Sequence, residues 1–188
     1  AATTNAEVDQ AKSTGTTEVN AVNPQAVAKP VAKQAIEEAL KAKEAAIDSR
    51  TDLTDEEKAA AKADAQAKAD EAKKNIDAAT TNAEVDQAKS TGTTEVNGVN
   101  PTAQSKPAAK QAIEDALKAK EAAIDSRTDL TDEEKAIAKA DAKAKADEAK
   151  KNIDTATTDE AVSQAKTAGT TSIASVNPTA QSNPAAKQ

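Results

Sequence analysis

The sequence contains no cysteine, histidine, methionine, phenylalanine, tyrosine or tryptophan. Each absence closes off a class of chemistry. Without cysteine there is no disulfide and no thiolate nucleophile, and without cysteine and histidine together there is no ordinary metal cage. Without histidine, no side chain titrates near neutrality at its unperturbed pKa. The aromatic anchors that dominate protein–protein hot spots are missing, and of the third anchor type, arginine, only Arg50 and Arg127 occur. No apolar run approaches the roughly 20 residues of a membrane-spanning helix. No signal-peptide pattern opens the chain, which is therefore expected to be an interior piece of a mature protein.

What is present is narrow in kind. Apolar residues make up 37% of the 188, and most of them are alanine, so any core is thin and rests on isoleucine, leucine, valine and many methyl groups. The 25 basic and 32 acidic residues give a formal charge of −7. Both signs are interspersed along the chain, which argues against nucleic acid or an anionic membrane as a partner.

Internal repetition is the strongest signal. Pro30 recurs as Pro107 and Pro184, Pro24 as Pro101 and Pro178, and Gly15 as Gly92 and Gly169, always 77 residues apart. Residues 1–29 match 78–106 with four differences. The chain thus divides into 1–29, the last helix of a preceding partial repeat plus a linker; a repeat at 30–106; a second at 107–183; and 184–188, the start of another.

Three helical segments are legible in each repeat. The first runs from about Pro30 to Ser49, with Ile36, Leu40 and Ile47 on one stripe. The second opens at Thr54 with a capping box closed by Glu57, and it carries Asp55, Glu56 and Glu57 in its first turn, where the helix dipole favours them. It continues to about Ala79 through Ala61, Ala65, Ala69, Ala72 and Ile76. The third begins near Thr81 with a second capping box and lines up Val85, Ala88, Gly92, Val96 and Val99. Its polar stretch Ser90-Thr91-Gly92-Thr93-Thr94 puts the continuity of this helix in question.

Comparison of the repeats tests these faces. Ten of the differences between them lie between Asn82 and Gly98, yet Val85 stays Val162, Ala88 stays Ala165, Val99 stays Val176 and Val96 becomes Ile173. The apolar seam survives while its flanks drift.

Short connections, at Arg50 to Leu53 and around Thr80 and Thr81, pack successive helices antiparallel. The expected fold class is all-α: tandem three-helix bundles, spectrin-like and up-down-up, stacked end to end as a rod. The stretch from Asn100 to Pro107 reads as the boundary between bundles. A unit in the order third, first, second helix is also possible, and the prolines favour the first framing.

The runs Lys41-Ala42-Lys43-Glu44-Ala45-Ala46-Ile47-Asp48, Asp52-Leu53-Thr54-Asp55-Glu56-Glu57-Lys58 and Ala72-Lys73-Lys74-Asn75-Ile76-Asp77-Ala78-Ala79-Thr80-Thr81 resemble the domain of unknown function numbered fifteen forty-two. Such repeats occur in tandem in Gram-positive cell-wall-anchored surface proteins, including staphylococcal biofilm and matrix-binding adhesins. The resemblance implies an exported, wall-attached protein and a stalk or adhesion role. Its partners would be neighbouring repeats in the same chain and, on an adhesion reading, a host matrix protein or the same protein on another cell.

Three features invite a sharper reading. The acidic residues Asp52, Asp55, Glu56 and Glu57, and their counterparts Asp129, Asp132, Glu133 and Glu134, have the oxygen chemistry of a calcium site. They lack the spacing and the glycine of a calcium loop, so helix capping is favoured. Gly92 and Gly169 are read as close-packing positions in preference to hinges. Glu37 and Glu38 sit on a solvated face, with no pocket to make them acid and base. The chain is accordingly expected not to be an enzyme and to have no catalytic, cofactor-binding or metal-binding residue and no cofactor.

Overall fold

A computed structural model of the protein describes residues 3–22 and 26–181. Pro24, Pro184 and the expected start of a further repeat at 184–188 lie outside the described residues. Within them the chain forms seven α-helices and no strand: α1 Asn5–Asn20, α2 Ala28–Asp48, α3 Asp55–Ala78, α4 Asn82–Gly98, α5 Ser105–Asp125, α6 Asp132–Thr155 and α7 Asp159–Ala174.

Local chemistry explains where these helices begin. At α3 the Thr54 hydroxyl accepts from the Glu57 amide at 3.3 Å, and Glu57 Oε2 accepts from the Thr54 amide at 3.0 Å. This capping box recurs as Thr4/Glu7, Thr81/Glu84 and Thr131/Glu134. α7 departs from the pattern because Ala161 stands where α4 has Glu84, and only the hydroxyl half remains, from Ala161 N to Thr158 at 3.1 Å. The first helices start two residues ahead of the expected prolines, at Ala28 and Ser105. Pro30 and Pro107 therefore occupy the first turn, where a missing amide donor costs nothing because it would have no intrahelical partner.

Helices α2, α3 and α4 pack on one another, as do α5, α6 and α7. Cross-helix ion pairs fix the directions. Asp48 pairs with Lys62 at 2.8 Å, Glu37 with Lys73 and Lys33 with Asp77, so residue number falls along α2 as it rises along α3, and the two run antiparallel. Asp125–Lys139, Glu114–Lys150 and Lys110–Asp154 repeat the ladder between α5 and α6. These pairs are substantially exposed and set register more than stability.

Each core repeats the same plan. Ile36, Leu40, Ile47, Leu53, Ile76, Val85, Val96 and Val99 are buried in the first cluster with an alanine row along α3: Ala61, Ala65, Ala69 and Ala72. Small residues on α3 let its neighbours approach closely. A Cβ at Gly92 would sit 2.2 Å from the Ala72 Cβ and 3.0 Å from Ile36 Cδ1, and one at Gly169 would sit 2.4 Å from the Ala149 Cβ. α4 and α7 run unbroken through these glycines, whose role is close packing.

Candidate functional site

Two polar residues are buried among those described, Thr54 and Lys106. Burying a charge is costly unless its donors are satisfied, and the way Lys106 is satisfied defines the site. It lies in the first turn of α5, 5% exposed, and its Nζ donates to Thr51 O at 2.9 Å and Asp154 O at 2.8 Å. Thr51 belongs to the loop between α2 and α3, and Asp154 to the last turn of α6. The ammonium thus ties the first bundle to the second, at a helix C-terminus whose dipole favours a cation.

Around it other bonds gather: those of Glu57, the Asp55 amide and the Asp159 amide cross the joint, and those of Ser105 Oγ and Arg50 brace one bundle or the other. Glu57 spends one oxygen on its own N-cap and the other on α5, where Oε1 accepts from the amides of Gln104 at 2.8 Å and Ser105 at 3.0 Å. Partial burial pushes the Glu57 pKa up, but the amides of Ser105, Thr54 and Gln104 outweigh that and hold it below its ordinary value. The Asp55 amide donates to Thr157 O at 2.7 Å, and the Asp159 amide to Glu56 Oε2 at 3.0 Å. Ser105 Oγ donates to Asp159 Oδ1 at 2.6 Å. Arg50 clamps Asp52 through two bonds of 2.7 and 2.6 Å and donates a third to Pro101 O at 3.3 Å. The guanidinium lowers the Asp52 pKa to about 2.

The acidic residues flagged in the sequence are therefore divided among separate tasks. Asp52 serves Arg50, Glu56 serves the Asp159 amide and Glu57 serves two helix N-termini. Their oxygens face different donors and do not converge. Among the described residues no group of three or more acidic side chains is placed to hold a metal ion. Glu37 pairs with Lys73 across the α2–α3 seam, and that bond lowers its pKa. Glu38 accepts from Gln34 at 3.0 Å on the same helix.

Sequence reasoning passed over Lys106 and the outer oxygen of Glu57, because the stretch before Pro107 reads as linker. One signal was available: lysine stands at both 29 and 106, one period apart. Lys29 makes the half of the bridge that lies within its own bundle, to Asp77 O at 2.7 Å.

This joint offers a set of hydrogen bonds between the two bundles. It brings together no nucleophile with a base. Among the described residues no helix is long and apolar enough to cross a membrane. Comparison with known families gives one finding: a family model described as Domain of Unknown Function (DUF1542) matches residues 28–104 and again 105–181. Nothing among curated proteins or solved structures matches the chain.

Proposed function

Since this chain belongs to the DUF1542 family, with two tandem repeats filling most of it, we propose that it is a spacer: a stalk segment of a bacterial surface protein that projects a distal adhesive domain from the cell wall. The observation that carries this reading is the joint. A chain of bundles separates its ends in proportion to bundle number only where the junctions resist bending, and here the junction is crosslinked by Lys106, Glu57, the Asp55 amide and the Asp159 amide.

Direction matters as much as stiffness. α2 runs antiparallel to α3, and the start of α2 lies beside the start of α4, with Ala28 and Val85 lining one groove. Arg50, just past the end of α2, reaches Pro101, just past the end of α4. Three helices so arranged deliver the chain to the pole opposite its starting point, and the next bundle continues outward. A spacer also has no need of a reactive group, which fits a joint built from capping and bridging contacts.

Small-angle scattering on chains of one, two and four repeats tests the proposal. At 1.5 Å per residue, helices the length of α3 should lengthen the particle by about 35–40 Å per repeat. A maximum dimension that hardly grows from two repeats to four would mean that bundles fold back, and the spacer reading would fall. Sedimentation at rising concentration separates it from an adhesive, self-associating module, for which the apparent mass would climb.

A further inference from the structure

The first helix of a repeat brings no cap of its own. Neither Val27, before α2, nor Gln104, before α5, makes a side-chain capping bond. Yet the opening amides of any helix lack intrahelical acceptors. At α5 the acceptor comes from the preceding bundle, as Glu57 Oε1. The same carboxylate closes the capping box of α3 through Oε2. One side chain thus caps two helices in two repeats.

We infer that each repeat carries a docking face for the leading edge of the repeat that follows it, with the outer oxygen of its capping-box glutamate as the N-cap of that neighbour's first helix. The face comprises Thr51 O, the Asp55 amide, Glu56 and Glu57. Its partner presents the Gln104 and Ser105 amides, the Lys106 ammonium, Thr157 O and the Asp159 amide. Donors and acceptors alternate in kind across the joint, so the face fits a following repeat and not a second copy of itself. Charge agrees with this polarity: across the joint a carboxylate meets a helix N-terminus, and an ammonium meets the Thr51 carbonyl.

The pattern recurs at the far end of the second bundle. Gln181 is one period on from Gln104, and its amide donates to Glu134 Oε1 at 2.9 Å. The outer oxygen of the capping-box glutamate is thus used in both repeats, whereas Lys106 has Asn183 one period on.

Coupling of this kind has a direction. The order of α5 depends on the α3 N-terminus being folded, so stability passes from each repeat to the next as a nearest-neighbour term. This holds whether the array is a spacer or an adhesin, and its test does not depend on that choice.

Two substitutions in the full chain separate the roles of Glu57. Thr54→Ala removes the hydroxyl half of the α3 cap and leaves Oε1 in place, whereas Glu57→Ala removes both caps. Hydrogen exchange at the Gln104 and Ser105 amides should quicken about tenfold in Glu57→Ala, the size of one charge-assisted hydrogen bond, and stay near the parent rate in Thr54→Ala. The α3 first turn should quicken in both. Glu57→Gln keeps the shape and loses the charge, and read alongside it should give an intermediate rate at Gln104 and Ser105 even if the alanine variant does not fold. Gln104→Ser, which gives α5 a cap of its own, should restore protection at the α5 N-terminus in the Glu57→Ala background. Unchanged exchange at Gln104 and Ser105 in both Glu57 variants would overturn the inference. So would equal quickening in Thr54→Ala, which would make Glu57 a cap for its own helix alone.

Discussion

Residues 5–20 and 82–97 are the same sixteen amino acids in the same order, and they meet different fates. Both are helical, as α1 and the body of α4. Both open identically: Glu7 accepts from the Thr3 amide at 2.6 Å and the Thr4 amide at 2.9 Å, and Glu84 from the Thr80 amide at 2.6 Å and the Thr81 amide at 3.0 Å. Beyond that they part. Val85 and Val96 are 3% and 0% exposed, whereas Val8 and Val19 are 52% and 71% exposed, and no side chain of α1 is buried. Gly92 is pressed against Ala72, whereas nothing lies within 4 Å of where a Cβ on Gly15 would be. Identical residues therefore specify the helix and its start. What the valines and the glycine do is specified by α2 and α3.

The sharpest way to break that comparison is to spoil the groove that α4 fills. Ile36 is fully buried, and its Cδ1 lies beside Gly92. Ile36→Ala leaves a cavity there and should cost about 2–5 kcal/mol in the 28–104 bundle, bringing amide protection in α4 down toward that of α1 while α1 itself stays as it was. Asp64→Ala on the outer face should cost well under about 1 kcal/mol. Thermal melts with residue-resolved hydrogen exchange would decide. Equal losses from the two substitutions would mean that the buried face is misassigned.

Much of this was legible in the sequence because it is local or periodic. The stripe Ile36, Leu40 and Ile47, the alanine row of α3 and the Thr54/Glu57 box each follow from spacing within one segment. The joint was not legible. Nothing in the order of residues says that Glu57 has a second oxygen turned toward Ser105, and the recurrence of lysine at 29 and 106 marks the position without saying that Lys106 is buried, since both depend on how one bundle sits against the next. The polar run around Gly92 misled in a related way. Taken alone it is poor in helix formers, yet the same run is an unbroken helix in α1, where its valines are exposed, so continuity does not depend on docking; the glycine of α4 is small because Ala72 is there.

That glycine gives a second test, in which one substitution has opposite signs at two copies of the same sequence. At Gly15 a methyl meets open space, so Gly15→Ala should stabilise α1 by about 0.5–1 kcal/mol through helix propensity. At Gly92 the new Cβ would be 2.2 Å from the Ala72 Cβ, an atom fixed to the backbone, and α3 and α4 must move apart. Overpacking of this kind costs about 1–3 kcal/mol, more than the propensity gain. Gly169→Ala should behave as Gly92→Ala does, with Ala149 and Ile113 in the way. Circular dichroism melts of the three variants would show it. If Gly92→Ala proved as stabilising as Gly15→Ala, the seam would be looser than the packing of α4 on α3 indicates.

The smallest effect concerns acid, and it sharpens the comparison by removing what the two segments share. Bonds from the Thr3 amide and hydroxyl and the Thr4 amide hold the Glu7 carboxyl down to about 2, and the equivalent threonines hold Glu84 below its ordinary value. A carboxyl whose pKa is depressed on folding stabilises the fold above its unfolded value, and that contribution is lost as pH falls toward the folded value. For Glu7 the window runs from about 4.5 down to about 2. Protonation weakens the bonds to both helix starts, at Glu7 within that window and at Glu84 below the ordinary carboxylate value. α1 rests on its cap and its propensity alone and should fray from Asn5 onward as the pH drops. α4 is also held by Val85 and Val96, so the same lost bonds should leave its first turn in place. Amide chemical shifts of Thr4 and Thr81 followed through the titration read the two starts separately, with loss of helical shifts after Thr4 and their retention after Thr81 as the expected result. Fraying of both at one pH would mean that burial of the valines does not hold the start of α4, and the distinction between the cap and the groove would have to be given up.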